Sequence, residues 1–212
     1  MPLLKKVYPS PTSVLGIWQQ NEAIADLRKM IKLSERDEKM YASFSVEKRQ
    51  REWLCSRILL QLLMGENCQI IYDENRNPFL ENSETNISIT HCKNYVAVYL
   101  DNTKLIGCDI EEYRDRIKGI SKKFLSDEER EQIPKENSVP KLTAYWCAKE
   151  VMYKYYSRKQ VDFKKCLLVK PFELSEQGSI ESKIIMEDFE TDLSINYLAE
   201  KAFFIAFASG DK

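Results

Sequence analysis

Leu105-Ile106-Gly107-Cys108-Asp109-Ile110-Glu111 decides the fold, because the chain carries a weaker copy of this stretch near its start. Leu15-Gly16-Ile17 is echoed by Ile106-Gly107-Cys108, Leu33-Ser34 by Leu125-Ser126, and Trp53 by Trp146, at offsets of 91, 92 and 93 residues. Such a period is too long for a solenoid unit and close to half of the 212 residues, so it marks an internal duplication. Each copy reads as a strand, then a helix, then further strands. Ser34 with Asp37 and Ser126 with Glu129 have the form of an N-cap followed by an acidic first turn, which satisfies free backbone N–H groups. Trp53, Leu54, Ile58, Leu59, Leu62 and Leu63 recur at helical spacing over 46–64, and Gly65 supplies the stop. The matching helix of the second copy is expected over 141–156. Strands are expected over 86–89, 95–100, 105–110, 167–169, 184–186 and 202–208. The turn-like Asp101-Asn102-Thr103 separates the copies. The expected architecture is α+β: two similar halves, 1–102 and 103–212, packed about a pseudo-twofold axis with a ligand cleft between them.

Composition narrows the partners. With 32 basic and 33 acidic residues the formal net charge is -1, which lacks the basic excess of a non-specific nucleic-acid binder. The opening residues hold no apolar run long enough for a signal peptide, and Ala202-Phe203-Phe204-Ile205-Ala206-Phe207-Ala208 is too short to span a bilayer. A soluble, cytoplasmic monomer without membrane or nucleic-acid partners is expected. The six cysteines lack C-x-x-C spacing, so neither disulfides nor a zinc site are expected. His91 is the one histidine, so a bound metal should be a hard cation on oxygen ligands.

The second copy supplies those oxygens. Asp109 and Glu111, at i and i+2 of a strand, point to one face. Glu150 follows 39 residues after Glu111 on a helix, and Lys154 stands one turn beyond it on the same face. Three carboxylates with an ammonium beside them suit Mg²⁺ and a phosphate-bearing ligand. Taken singly, the same patterns also describe a solvated strand face and a surface ion pair. Counted from the two tryptophans, Arg57 aligns with Glu150 and Gln61 with Lys154, while Trp18 and Gln20 fall near Asp109 and Glu111. The carboxylates thus belong to the second copy and a guanidinium to the first, which suits an anionic ligand lying across the interface.

These segments resemble the 4′-phosphopantetheinyl transferase superfamily in its larger, pseudo-dimeric form, typified by the activator of surfactin synthetase. Ile106-Gly107-Cys108-Asp109-Ile110-Glu111 looks like the family's G-x-D-I-E strand, and Trp146-Cys147-Ala148-Lys149-Glu150-Val151-Met152-Tyr153-Lys154 its W-x-x-K-E-x-x-x-K helix. Ile87-Ser88-Ile89-Thr90-His91-Cys92 resembles I-S-x-S-H-S, and Phe124-Leu125-Ser126-Asp127-Glu128-Glu129 resembles F-S-x-x-E. In the stretch resembling the family's G-K-P, Arg76 replaces the Gly and Asn77 the Lys.

The resemblance implies transfer of the 4′-phosphopantetheine arm of coenzyme A to a serine of an acyl or peptidyl carrier protein. Asp109, Glu111 and Glu150 would hold Mg²⁺ with the coenzyme A pyrophosphate, Glu150 acting also as general base for the serine. Lys154 would contact the pyrophosphate and assist departure of 3′,5′-ADP. Thr90 and His91 would face the coenzyme A phosphates, and Arg57 would take the place of an arginine near the 3′-phosphate. The basic stretch Arg114, Arg116, Lys118, Lys122 and Lys123 reads as a dock for an acidic carrier helix, with Phe124 and Ile120 as apolar anchors. Two other readings stay open: a catalytically silent coenzyme A or carrier-protein binding module, and an unrelated Mg²⁺ phosphohydrolase.

Overall fold

The computed structural model describes residues 3–66, 68–158 and 160–211, so the outermost ends of the two expected halves lie outside it. In chain order, β1 (Leu3–Val7) and β2 (Ser13–Gln19) lead into α1 (Ile24–Met30), α2 (Glu35–Ala42) and α3 (Glu47–Met64). A short hairpin, β3 (Ile70–Tyr72) and β4 (Pro78–Leu80), precedes β5 (Asn86–His91) and β6 (Tyr95–Asp101). Then come β7 (Leu105–Glu112), α4 (Arg116–Phe124), α5 (Asp127–Glu131) and α6 (Val139–Tyr156). The chain closes with β8 (Leu167–Val169), β9 (Gln177–Ile185), β10 (Glu190–Ala199) and β11 (Phe203–Gly210). The fold is mixed α+β, with one antiparallel sheet ordered β1-β2-β6-β5 and another ordered β7-β11-β10-β9-β8.

Local chemistry sets the element ends. Ser34 Oγ accepts the Asp37 amide at the start of α2, and Ser126 with Glu129 forms a full capping box on α5. Gly65, at φ 77°, ends α3 in the left-handed region that glycine adopts without penalty. The long helices each cover one sheet. α3 closes a core with Trp18, Val96, Val98 and Leu100, and α6 closes another with Ile180, Ile195, Tyr197 and Phe204. Gly107 permits the second contact, since a Cβ there would lie 2.4 Å from the Val151 carbonyl oxygen.

A third core lies between the sheets. Leu15, Ile17, Ala97 and Tyr99 of the first meet Ile106, Cys108, Ile110, Ile205 and Phe207 of the second. The Tyr95 ring lies tilted 4.6 Å from Phe203, and the Tyr99 ring meets Phe207 edge-on at 5.9 Å. β7 is an edge strand, and two of its amides donate to hydroxyls rather than to a neighbouring strand's backbone. The Cys108 N–H donates to Ser88 Oγ at 3.1 Å, and the Ile110 N–H to Thr90 Oγ1 at 3.2 Å.

The sequence reading found β5 to β8, β11 and both long helices, but it truncated β9 and gave no β1, β3, β4, β10 or α1. Leu193, Ile195 and Tyr197 of β10 do alternate inward, separated by exposed Ser194 and Asn196. The signal was present with a period of two.

Candidate active site

α6 lies across β7, so the strand's carboxylates and the helix's Glu150 and Lys154 share one region. Lys154 Nζ donates to Asp109 Oδ1 at 2.7 Å and to the Cys108 carbonyl at 2.9 Å. Thr90 Oγ1 donates to the same Asp109 oxygen at 2.9 Å. Asp109 Oδ2 is buried and has no hydrogen-bond partner. Burial, then the Asp109 charge, push Glu150 up to about 7 against the opposing pull of Lys154. Glu111 is raised by burial and by Asp109, with Arg116 and Arg114 opposing. Burial works to lower the Lys154 ammonium, but its anionic neighbours, Asp109 first, outweigh it and the net shift is upward. Lys154 is the cation in direct contact with Asp109, and Arg116 Nη2 lies 3.8 Å from Glu111. Among the described residues, however, no three Asp, Glu, His or Cys side chains stand together as a ready metal site.

A cavity of about 560 Å³ opens between the two sheets' helices, with Arg57, His91 and Lys154 on its wall beside Tyr72, Arg76 and Tyr153. Thr90, Asp109 and Glu150 do not line it. Glu111 lines a second hollow of about 230 Å³ with Arg116, Ile120 and Trp146. The charge cluster therefore meets open space on two sides, through Lys154 on one and Glu111 on the other.

Several expected roles look different in the structure. Thr90 is buried, its hydroxyl occupied by Asp109 and the Ile110 amide, so it supports a carboxylate instead of facing the cavity. Arg57 is 5% exposed; its guanidinium lies 3.5 Å over the Trp53 ring, and its Nε is 3.8 Å from Asp37. Phe124 is 1% exposed and packs edge-on against Trp146 at 5.1 Å, so it belongs to the core and cannot anchor a partner. Asn77 donates through Nδ2 to the Ser157 carbonyl at 2.8 Å and to Asp73 Oδ2 at 2.9 Å, tying the β3–β4 turn to the end of α6.

Lys149 points away from the carboxylates. Fully buried, it pairs with Glu129 Oε2 at 2.6 Å and donates to the Phe163 carbonyl at 2.8 Å. Glu129 in turn accepts the amides of Ser126 and Val169. One ion pair thus binds the F-S-x-x-E turn to the W-x-x-K-E helix. Asp37 and Arg57 stand 92 residues before Glu129 and Lys149, as Ser34 stands before Ser126. The ion pairs therefore match Arg57 with Lys149, whereas the offset of 93 from the tryptophans matched it with Glu150.

Two cavity-lining residues escaped the sequence reading. Arg49 Nη1 lies 3.3 Å from His91 Nε2, and the buried Glu52 carboxylate has Oε1 3.3 Å from His91 Nδ1. The available signal was a charged residue beside Trp53, on the helix face that turns to the core.

Residues 105–208 match the family model of the 4′-phosphopantetheinyl transferase superfamily. A curated relative, the 4′-phosphopantetheinyl transferase AcpT of Salmonella typhimurium, is 26% identical over 101 residues, covering 46% of this chain and 53% of that protein. The match thus spans about half the length of the relative.

Proposed function

We propose that this chain, a member of the 4′-phosphopantetheinyl transferase superfamily through residues 105–208, moves the phosphopantetheine arm of coenzyme A to a serine of an acyl or peptidyl carrier protein. The observation that supports the reading is the Lys154–Asp109 ion pair at 2.7 Å, with Asp109 Oδ2 buried and unpartnered and with Glu150 and Glu111 as charged neighbours. Mutually repelling carboxylates and an orphaned oxygen fit a divalent cation, and Asp109, Glu111 and Glu150 are the residues to hold Mg²⁺. When bound, the ion supplies positive charge to the pyrophosphate and its departing oxygen.

The remaining chemistry belongs to side chains. Glu150 takes the proton of the incoming serine hydroxyl, a poor nucleophile without a base. Lys154 steadies the charge that gathers on the leaving 3′,5′-ADP. Arg57, Thr90 and His91 make up the coenzyme A side: His91 and Arg57 from the cavity wall, Thr90 by fixing Asp109. We read 1–102 and 103–212 as two halves about a pseudo-twofold axis, a reading supported by the repeated ion pairs.

Incubating the protein with apo carrier, coenzyme A and Mg²⁺ should add one phosphopantetheine arm to the carrier by mass, and chelation with EDTA should stop transfer until Mg²⁺ is restored. Coenzyme A binding without transfer to any of a panel of carriers would instead identify a silent binding module.

A further inference from the structure

Part of the cavity wall is the β3–β4 hairpin, which places Tyr72, Arg76 and Phe79 there, and part is the end of α6 with Tyr153 and Lys154. The two parts belong to separate cores. Ile70 and Leu80 bury the base of the hairpin in the core closed by α3, and Gln69 Oε1 accepts from Ser34 Oγ and from Arg36 Nη2, both at 3.0 Å. The tip is a tight turn over 73–77. The Asp73 N–H donates to the Asn77 carbonyl at 3.1 Å, the Arg76 N–H to the Asp73 carbonyl at 3.0 Å, and the Asn77 N–H to Asp73 Oδ1 at 2.8 Å. Arg76 stands there at φ 68°, a conformation that disfavours a side chain, so hydrogen bonds rather than local preference hold the turn. Asn77 then carries it across to α6. Its Nδ2 donates to the Ser157 carbonyl at 2.8 Å and to Asp73 Oδ2 at 2.9 Å. A flipped amide would set oxygen against both acceptors, so the orientation is fixed. Ser157 is the C-cap of α6 at φ 58°; its N–H donates to the Tyr153 carbonyl at 3.0 Å and its Oγ to the Lys154 carbonyl at 2.6 Å.

We propose that Asn77 is a positioning residue, a clasp that holds the hairpin wall and the last turn of α6, with Lys154, at the spacing a bound ligand bridges. Although Asn77 lines the cavity, both side-chain N–H donors are spent within the protein. What remains is an amide oxygen, an acceptor that offers nothing to an anion, so Asn77 acts through the walls and not by touching the ligand. The ligand class is a phosphate-bearing anion; that it is coenzyme A rests on the function proposed above. One neutral hydrogen bond favours the closed spacing by about two- to tenfold. Without it the ligand binds a smaller closed population, and apparent affinity falls by that fraction. A saturating ligand draws the walls together again, so turnover is retained.

Two variants of the full-length protein test the clasp: Asn77→Asp, which keeps the shape and loses the donors, and Asn77→Ala. Without ligand, hydrogen exchange followed by mass spectrometry should quicken about two- to tenfold in residues 69–81 and 153–158 of both variants, and stay at the wild-type rate in β7. Saturating coenzyme A should slow both segments again. Calorimetry should show coenzyme A bound about two- to tenfold more weakly, and in the carrier assay its KM should rise by the same factor with kcat within twofold of wild type. Unchanged exchange at 153–158 in the free variants overturns the proposal, whatever happens to affinity. So does a fall in kcat with KM unchanged, or a lower melting temperature with affinity retained, which would make Asn77 a turn residue only. Should Asn77→Asp fail to fold, Asn77→Ala decides on the same readouts. Coenzyme A bound without transfer to any carrier would count against the enzymatic reading and leave the clasp standing, and if coenzyme A does not bind, exchange in the free protein still decides.

Discussion

At the scale of single residues, spacing accounts for which side chains of the candidate site share a face. Asp109 and Glu111 share a strand face, and Glu150 and Lys154 share a helix face, because the periods of two and 3.6 are fixed by the backbone. Glu150→Gln should lower transfer by about 10²-fold or more with an unchanged circular dichroism spectrum, the scale of a lost general base; near-normal transfer measured by carrier mass would remove that role. The direction of a hydroxyl is not periodic. Thr90 sits on the strand as read, yet its Oγ1 is committed to Asp109 and Ile110, which follows from where β7 docks and not from local sequence. Glu52 gives a further test. Burial raises its carboxyl, but His91 and Lys48 outweigh that and hold it below the ordinary value of 4.5. A carboxyl depressed on folding adds stability above the unfolded value and loses it as pH falls through the folded one. Denaturant midpoints should therefore fall below about pH 4.5, and less steeply in Glu52→Gln.

At the scale of elements, the capping serines and the Gly65 stop were legible because they act within one turn, while β10 was missed although its alternation is plain. Glycines show what sequence conceals. Gly107 and Gly119 look alike in print, but a Cβ on Gly107 would meet the α6 backbone at 2.4 Å and one on Gly119 would meet nothing within 4 Å. Gly107→Ala should destabilise by roughly 1–3 kcal/mol and depress transfer, since it pushes α6 off β7 and separates Glu150 and Lys154 from Asp109. Gly119→Ala, on an exposed turn of α4, should stabilise by roughly 0.5–1 kcal/mol in urea titration. The buried Lys149–Glu129 pair sets a different test. Lys149→Met should lower stability by roughly 3–5 kcal/mol by stranding a buried carboxylate, and adding Glu129→Gln should recover part of the loss. The sequence displayed both residues inside family motifs without revealing that they touch.

At the scale of the whole molecule, two sheets each carry a long helix, and an apolar core between the sheets holds them together. Phe124 is removed from the expected carrier dock by its burial, but Lys122 and Lys123 remain exposed on α4. Changing both to Glu should raise the KM for an acidic carrier several-fold at low salt with little change in kcat, and an unchanged KM would clear this face of any docking role. The hydroxyl cover on β7 reaches further than the cleft. An apolar edge strand with open amides invites pairing with any other chain, and here the residues that close it, Ser88 and Thr90, are made before the strand they guard. On the ribosome the shield is therefore synthesised first, and the edge that emerges behind it meets its cover in the same chain. Residues 103–212 expressed alone would lack that guard and should self-associate, whereas supplying 1–102 in trans should keep them dispersed in light-scattering assays.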